Sequence, residues 1–168
     1  TRIYMERCQE FFENGHHVGT DELTREVKWD PAYELNIPEV DRQHKELLSC
    51  ISRLSGLVRQ NDRDGLKELL DFLASYTQTH FRTEEALMHE FKYPFLKEHV
   101  QEHRWFIKHY EKLRKDIEER RHDNKYLFFD INVFLVDWLI NHIANTDNHM
   151  GKHIIRRGFK PDGQLAPQ

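Results

Sequence analysis

Seven side chains that could ligate metal ions recur with helical spacing along this 168-residue chain. They are His44, His80, Glu84, His99, His103, His142 and Asp147. An α-helix turns about 100° per residue, so residues four apart lie on nearly the same face. His80 with Glu84, and His99 with His103, are therefore predicted to project side by side. Because imidazole and carboxylate groups are costly in a helical core unless a cation satisfies them, the pattern predicts a metal centre.

The number of donors indicates two ions rather than one. A structural zinc ion takes about four ligands, whereas five imidazoles and two carboxylates stand at these positions. If both carboxylates bridge, the set nearly fills two six-coordinate ions, and a shared solvent oxygen leaves one position open for a small molecule. Imidazole and carboxylate donors suit iron, and on donor type alone they also suit manganese, zinc or copper.

Asp147 departs from the four-residue spacing because it follows His142 by five positions. Five residues correspond to roughly 140° around an ideal α-helix. A bridging carboxylate can approach from an offset direction, and a local π-bulge would also bring the two side chains together. We favour Asp147 as the ligand over the neighbouring Asn148 or a water molecule.

Four helical stretches position these residues, and no β pattern competes with them. The helices are predicted from Asp41 to residues 60–62, from a cap at Asp64 towards Phe91, from about Pro94 to Arg120, and from about Lys125 to His153, with a turn over residues 121–124. Joined by short connections, they pack most simply as an antiparallel up-down-up-down four-helix bundle, so the predicted class is all-α with an N-terminal extension. In that topology all seven candidate ligands fall at the same end of the bundle.

The chain divides into a bundle and two flanking segments. Residues 29–157 are predicted to form the bundle, and residues 158–168 a C-terminal tail that contains Pro and Gly. Residues 1–28 form an N-terminal extension, in which Tyr4, Cys8 and Phe11 favour a short helix over residues 2–13. Since the chain begins with Thr1 and not Met, it is compatible with excision from a longer protein.

Composition argues against several classes of protein. The net charge is −4 and basic residues are mixed with acidic ones, so there is no nucleic-acid footprint. No apolar run reaches the roughly 18 residues needed for a membrane segment. The two cysteines, Cys8 and Cys50, are far apart and form no metal or redox motif. They predict a reducing compartment, the cytoplasm.

The motifs around the candidate ligands resemble the hemerythrins, and the bacterial members most of all. The segments that carry the resemblance are Asp41-Arg-Gln-His-Lys-Glu-Leu, His80-Phe-Arg-Thr-Glu-Glu-Ala-Leu-Met, Tyr93-Pro, His99-x-x-x-His103 and Trp138-Leu-Ile-Asn-His-Ile-x-x-x-Asp147. The resemblance covers about residues 29 to 153. Every ligand position of the family pattern is filled.

The resemblance implies reversible dioxygen binding at a non-haem di-iron centre, in an oxygen carrier, store or sensor domain rather than an enzyme. It assigns the ligands of each iron as follows: one would be held by His99, His103 and His142, the other by His44 and His80, with Glu84, Asp147 and an oxo or hydroxo group as bridges. The second iron, one histidine short, would carry the open position. Besides dioxygen, the implied partner is a signalling output domain, either attached or separate.

The resemblance also implies an apolar pocket that holds the oxygen. Its residues would be Leu47, Phe81, Trp138, Leu139 and Ile143, all within one turn of a candidate ligand. A dry pocket slows proton-assisted loss of reduced oxygen species. No helix carries the Glu-x-x-His pair of ferritin-like di-iron sites, and a histidine-rich site should favour returning the oxygen intact.

Three other readings remain open at this stage. A di-iron peroxidase, oxidase or nitric-oxide-handling protein could use the same scaffold, and so could a bundle that holds other metals or none. The segment His99-x-x-Glu102-His103 matches the inverted zinc-protease motif, but that reading leaves four other core ligands without a role. His149 and His153 are attributed to the helix dipole, and Glu85 to a solvated side chain or a partner of a ligand.

Overall fold

The computed structural model describes residues 28–119 and 131–160, and all regular elements within these two ranges are helical. Three long helices are α1 (Pro38–Gln60), α2 (Arg63–Glu90) and α3 (Leu96–Glu118), and a short 3-10 turn (Pro31–Tyr33) precedes them. The fourth helix, α4, covers residues 131–156. Its segments are π-helical Ile131–Asp137, α-helical Trp138–Asn141, π-helical His142–Asp147 and α-helical Asn148–Arg156.

The helices pack as a four-helix bundle. Helix α1 contacts α2 and the first π segment of α4, while α2 contacts α3 and the last segment of α4. The predicted all-α class and four-helix bundle are confirmed. Residues 1–27 of the predicted N-terminal extension, the predicted turn over residues 121–124, the predicted helix start near Lys125 and most of the C-terminal tail lie outside the described residues. Within the described ranges, no helix is both long and apolar enough to cross a membrane.

Helix α1 begins earlier than predicted. It starts at Pro38 rather than Asp41, because proline suits the first turn, where its missing N–H costs nothing. The Asp41 carboxylate reaches backwards and accepts hydrogen bonds from the backbone N–H groups of Leu35 at 2.7 Å and Ile37 at 3.1 Å. Asp41 therefore holds the segment that leads into α1 against the helix.

The cap of α2 lies two residues before the predicted one. Asp62, not Asp64, caps the helix, and its carboxylate accepts a hydrogen bond from the backbone N–H of Gly65 at 3.0 Å. A Cβ atom on residue 65 would lie 2.6 Å from the Asp62 carboxylate, so a larger residue here would displace the capping side chain.

The ends of the other helices differ from prediction by a few residues. Helix α3 begins at Leu96 rather than Pro94 and ends at Glu118 rather than Arg120, and α4 continues past His153 to Arg156. Terminal turns tolerate such shifts because their backbone groups have few partners inside the helix.

Two apolar clusters enclose the region that holds the candidate ligands. The larger one fills the middle of the bundle and includes Leu47, Phe81 and Leu139. The smaller one closes the end of the bundle, with residues 35, 37, 40, 88, 91, 93, 150 and 154. In α1, for example, His44 lies one turn from Val40 in the smaller cluster and from Leu47 in the larger one. The bundle thus buries its polar centre between two dry layers.

Candidate metal centre

Each helix brings its candidate ligands to the same level of the bundle. The seven side chains are at most 3% exposed. They form two sets whose ligand atoms lie within 4.8 Å of one another. One set contains His99, His103 and His142, called here the three-histidine group, and the other contains His44 and His80, the two-histidine group; Glu84 and Asp147 belong to both sets.

The π-helical segment His142–Asp147 accounts for the irregular five-residue spacing. A π-helix closes its hydrogen bonds between residues five apart, so such residues share a face. Asp147 Oδ1 accordingly lies 3.1 Å from His142 Nε2. The local widening of the helix, rather than an offset approach of the carboxylate, brings Asp147 into the centre.

Glu84 spans the two histidine groups with its two oxygens. Its Oε1 lies 3.5 Å from His44 Nε2 and 3.6 Å from His80 Nε2. Its Oε2 lies 3.5 Å from His99 Nε2 and 3.2 Å from His103 Nε2. One oxygen therefore faces each group, which is the arrangement a bridging carboxylate needs.

Asp147 spans the same gap from the opposite helix. Its Oδ2 lies 3.2 Å from His44 Nε2, whereas its Oδ1 lies 3.2 Å from His99 Nε2 and 3.1 Å from that of His142. Both carboxylates thus contact both groups, and each oxygen serves one side.

The nine inward-facing atoms, five Nε2 nitrogens and four carboxylate oxygens, have no hydrogen-bond partner among the described residues. They are close together, but their short contacts lack hydrogen-bond geometry. Burying so many unpaired polar atoms costs several kcal/mol per charged group. Two cations coordinated by these lone pairs would remove that cost, so the donor set fits a pair of metal ions.

The electrostatics of the metal-free centre also favour positive charge. Burial works against protonation of His44 and His99, but the carboxylates of Asp147 and Glu84 raise the pKa of His44 to about 9 and that of His99 to about 10. Burial lowers the pKa of His80 to about 4. Burial alone would raise the pKa of Glu84, yet the surrounding histidines, His80 first, hold it well below its ordinary value.

Asp147 behaves in the same way. Burial and the charge of Glu84 act to raise the pKa of Asp147, but His142 and His44 hold it well below its ordinary value. Two ionised carboxylates thus occupy the centre, and without metal ions His44 and His99 take up protons that balance their charge. The centre is a built site for cations.

The outward-facing Nδ1 atoms of three histidines have protein partners, and of these only Glu85 was considered as a partner of a ligand from the sequence. His80 meets Gln43 Oε1 at 3.0 Å, and His142 meets Glu102 Oε2 at 2.8 Å. His103 meets Glu85 Oε1 at 3.2 Å, so Glu85 is a partner of a candidate ligand. In the sequence, only the match to the inverted zinc-protease motif had drawn attention to Glu102.

The zinc-protease interpretation of that motif does not match the geometry. Glu102 accepts hydrogen bonds from the His142 ring and, at 3.0 Å, from the Thr146 hydroxyl. It therefore supports a histidine of another helix instead of facing the centre as a general base. His99 and His103 both point their Nε2 atoms at the shared carboxylates.

His149 and His153 have hydrogen-bonding roles rather than only a helix-dipole one. The Tyr93 hydroxyl and His149 Nδ1 are 2.8 Å apart, and His153 Nε2 lies 3.0 Å from the backbone oxygen of Phe91. Both contacts join α4 to the segment that follows α2. They help to close the end of the bundle over the centre.

The five predicted pocket residues are all buried in the larger apolar cluster: Leu47, Phe81, Trp138, Leu139 and Ile143. Two of them pack face to face on candidate ligands. The Phe81 ring stacks on His103 with centroids 3.7 Å apart, and the Trp138 ring stacks on His142 with centroids 4.4 Å apart. The aromatic rings fix the imidazole planes, while the pocket assignment itself stays a prediction.

The chain is similar in sequence to a bacteriohemerythrin and a myohemerythrin, and similar in fold to a solved structure. The bacteriohemerythrin of Stenotrophomonas maltophilia is 29% identical over 119 residues, which cover 71% of this chain and 75% of that protein. Myohemerythrin-1 of Phascolopsis gouldii is also 29% identical over 119 residues and is covered to 87%. A crystal structure of a leucine-to-phenylalanine mutant superposes with a TM-score of 0.67 at 26% identity, over 76% of this chain and 95% of that one.

The family model of the hemerythrin HHE cation-binding domain matches residues 35–154. That range includes all seven candidate ligands and most of the described bundle. With a buried histidine and carboxylate centre at the level where its four helices meet, the chain belongs to the hemerythrin family.

Proposed function

We propose that this chain binds dioxygen reversibly at a non-haem di-iron centre, as an oxygen carrier, store or sensor domain, and that it is not an enzyme. One observation carries the proposal. Nine buried donor atoms without hydrogen-bond partners among the described residues converge in two sets that share both carboxylates. Membership of the hemerythrin family supports iron as the metal.

In this proposal the three-histidine group holds one iron and the two-histidine group holds the other. Glu84 and Asp147, which each present one oxygen to either group, would be shared by the two ions, with an oxo or hydroxo group completing the centre. The bound iron pair supplies the redox chemistry that reversible oxygen binding requires. The two-histidine side has one protein ligand fewer, so the open position belongs there.

The protein orients the imidazole ligands and surrounds the centre with apolar side chains. The stacked rings of Phe81 and Trp138 hold His103 and His142 in fixed planes. Leu47, Leu139 and Ile143 are buried, and their side chains have no proton to donate. An apolar wall of this kind favours release of the oxygen unchanged, because its loss as a reduced species needs a proton.

The composition of the centre supports binding rather than catalysis. Only two carboxylates are present, against five imidazoles. Ferritin-like di-iron sites use four glutamates and two histidines, and their additional negative charge stabilises highly oxidised iron. The neutral imidazoles of this centre offset less positive charge, which favours the lower oxidation states used in reversible binding.

Two finer assignments belong to the proposal. We place the protein in a reducing compartment, the cytoplasm, because Cys50 is buried and forms no disulfide, and burial raises the pKa of its thiol. A signalling output domain, attached or separate, would make the bundle an oxygen sensor rather than a carrier or store.

The test is an oxygenation cycle on the iron-loaded protein. The anaerobically reduced protein should develop a visible absorption band in air and lose it under vacuum over repeated cycles. A band that decays within one cycle, with turnover that depends on an added peroxide or nitric oxide, would favour a di-iron enzyme. Loading without any air-dependent band would contradict oxygen binding.

A further inference from the structure

Two carboxylates hydrogen-bond to the three-histidine group from outside. The His142 Nδ1 atom lies 2.8 Å from Glu102 Oε2, and the His103 Nδ1 atom lies 3.2 Å from Glu85 Oε1. The Thr146 hydroxyl donates to the same Glu102 oxygen at 3.0 Å and so fixes its position. The Glu102 side chain is 17% exposed and that of Glu85 is 39% exposed, so solvent screens Glu102 less.

The two-histidine group has no such carboxylate. The His80 Nδ1 atom lies 3.0 Å from the amide oxygen of Gln43. The orientation of that amide is fixed because its nitrogen donates to Glu39 Oε1 at 2.7 Å and to the Thr83 hydroxyl at 3.3 Å. The Nδ1 atom of His44 has no hydrogen-bond partner among the described residues. This group is therefore supported by a neutral acceptor and one unassisted ring.

The difference matters because a histidine that binds metal through Nε2 carries its proton on Nδ1. A carboxylate that accepts this proton makes the imidazole a stronger electron donor to the metal, and it holds the ring more firmly than a neutral amide does. The Nδ1 atom of His99, like that of His44, has no hydrogen-bond partner among the described residues. The three-histidine group therefore has one ligand more, and two of its three rings are polarised by carboxylates, whereas neither ring of the two-histidine group is.

We propose that Glu85 and Glu102 are positioning residues that make the three-histidine group the tighter of two unequal metal positions, while Gln43 leaves the two-histidine group as the labile one. The inference rests on the proposed di-iron centre and adds an order of metal release to it. Glu102 carries most of the effect, since it is the more buried carboxylate and has the shorter contact.

The experiment follows the release of ferrous iron from the full, anaerobically loaded chain to an excess of a coloured ferrous chelator. The wild type should lose its iron in two phases of equal amplitude. In Glu102→Gln, which keeps the shape and an acceptor oxygen, the slow phase should accelerate about tenfold to a hundredfold while the fast phase is unchanged. The matched control is Glu98→Gln, an exposed position on the same helix.

The complementary variant is the exchange Glu39→Gln with Gln43→Glu. It moves a carboxylate onto His80 without leaving two carboxylates side by side, and it should slow the fast phase. A second readout is the reduction potential of the iron centre. The potential should rise in Glu102→Gln and fall in the exchange variant, because negative charge near a ligand stabilises the more oxidised metal. A merely structural role would leave the potential unmoved.

The outcomes separate this inference from the proposed function. A wild-type chain that retains no iron would contradict the di-iron centre itself. Two irons released in a single phase, or a Glu102→Gln variant that matches Glu98→Gln in both release and potential, would overturn the unequal positions and leave the centre intact. Far-UV circular dichroism of each metal-free variant verifies that the bundle is folded.

Discussion

Replacing Glu84 with glutamine tests whether one carboxylate serves two metal ions. Each Glu84 oxygen faces one histidine group, at 3.2 to 3.6 Å from four Nε2 atoms. Glutamine keeps the size of the side chain but has one oxygen, and its NH₂ group cannot ligate a metal. Whichever way the amide turns, one ion loses a ligand and faces a donor instead.

The size of the effect follows from the burial of the group. Glu84 is fully buried, and removing one partner from a buried ionic set costs about 3–5 kcal/mol. Each 1.4 kcal/mol is a factor of about ten in affinity. At least one iron should therefore bind about 10²- to 10⁴-fold more weakly, and a chain loaded with two equivalents should retain one iron or fewer after desalting.

The assay combines iron content with thermal stability. Anaerobic loading, desalting and quantification give the iron per chain, and melting with and without iron gives the stabilisation by metal. That stabilisation should shrink by about 3–5 kcal/mol in Glu84→Gln. The exposed Glu90→Gln, on the same helix, should behave as wild type. Two tightly held irons and an unchanged melting shift in Glu84→Gln would refute the bridging role.

Three further experiments test the protonation of the centre and the packing of the helices around it. At pH 7, His44 and His99 of the metal-free protein are protonated because their pKa values are raised to about 9 and about 10. Anaerobic uptake of ferrous iron should therefore release about two protons per chain from these rings. For the same reason, iron affinity should rise as the pH increases from 7 towards 9. Thr77 has a buried hydroxyl without a hydrogen-bond partner among the described residues, so Thr77→Val should stabilise the protein against urea by about 1 kcal/mol. Asp41→Ala removes two hydrogen bonds to the backbone of the segment before α1 and should cost about 3 kcal/mol in the same titration.

Each of these predictions has a clear contrary result. Iron affinity that stays level or falls between pH 7 and 9 would mean that protons do not compete with the metal. A Thr77→Val variant that is less stable than wild type would show that the hydroxyl has a partner. If the free energy of unfolding of Asp41→Ala lies within about 0.5 kcal/mol of the wild-type value, Asp41 does not stabilise the segment before α1.

The convergence of the candidate ligands at one level of the bundle was predictable from the sequence, because helical spacing sets the pairs within a helix and the antiparallel topology aligns the helices. His80 with Glu84 is a local pair, set by the turn of one helix. His44, by contrast, reaches the same level only because α1 and α2 lie side by side with a tight connection at Asp62. The irregular spacing of Asp147 was itself a signal, and a π-helical segment explains it.

Features that depend on rotation between helices were not predictable. Gln43 and His80 are 37 residues apart and Glu102 and His142 are 40 apart, and both contacts depend on how two packed helices are turned towards each other. The helix starts were misplaced for a smaller reason. Asp41, Asp62 and Asp64 are all plausible caps by residue type, and only the direction of each carboxylate distinguishes them. The assignment of all seven ligands remains a prediction.

A crystal structure of the iron-loaded protein, with diffraction recorded on both sides of the iron absorption edge, locates the metal itself. Two iron peaks should appear in the anomalous difference map, one against His99, His103 and His142 and the other against His44 and His80, with a carboxylate reaching both. A single peak, or iron found only at surface histidines, would contradict a shared di-iron centre.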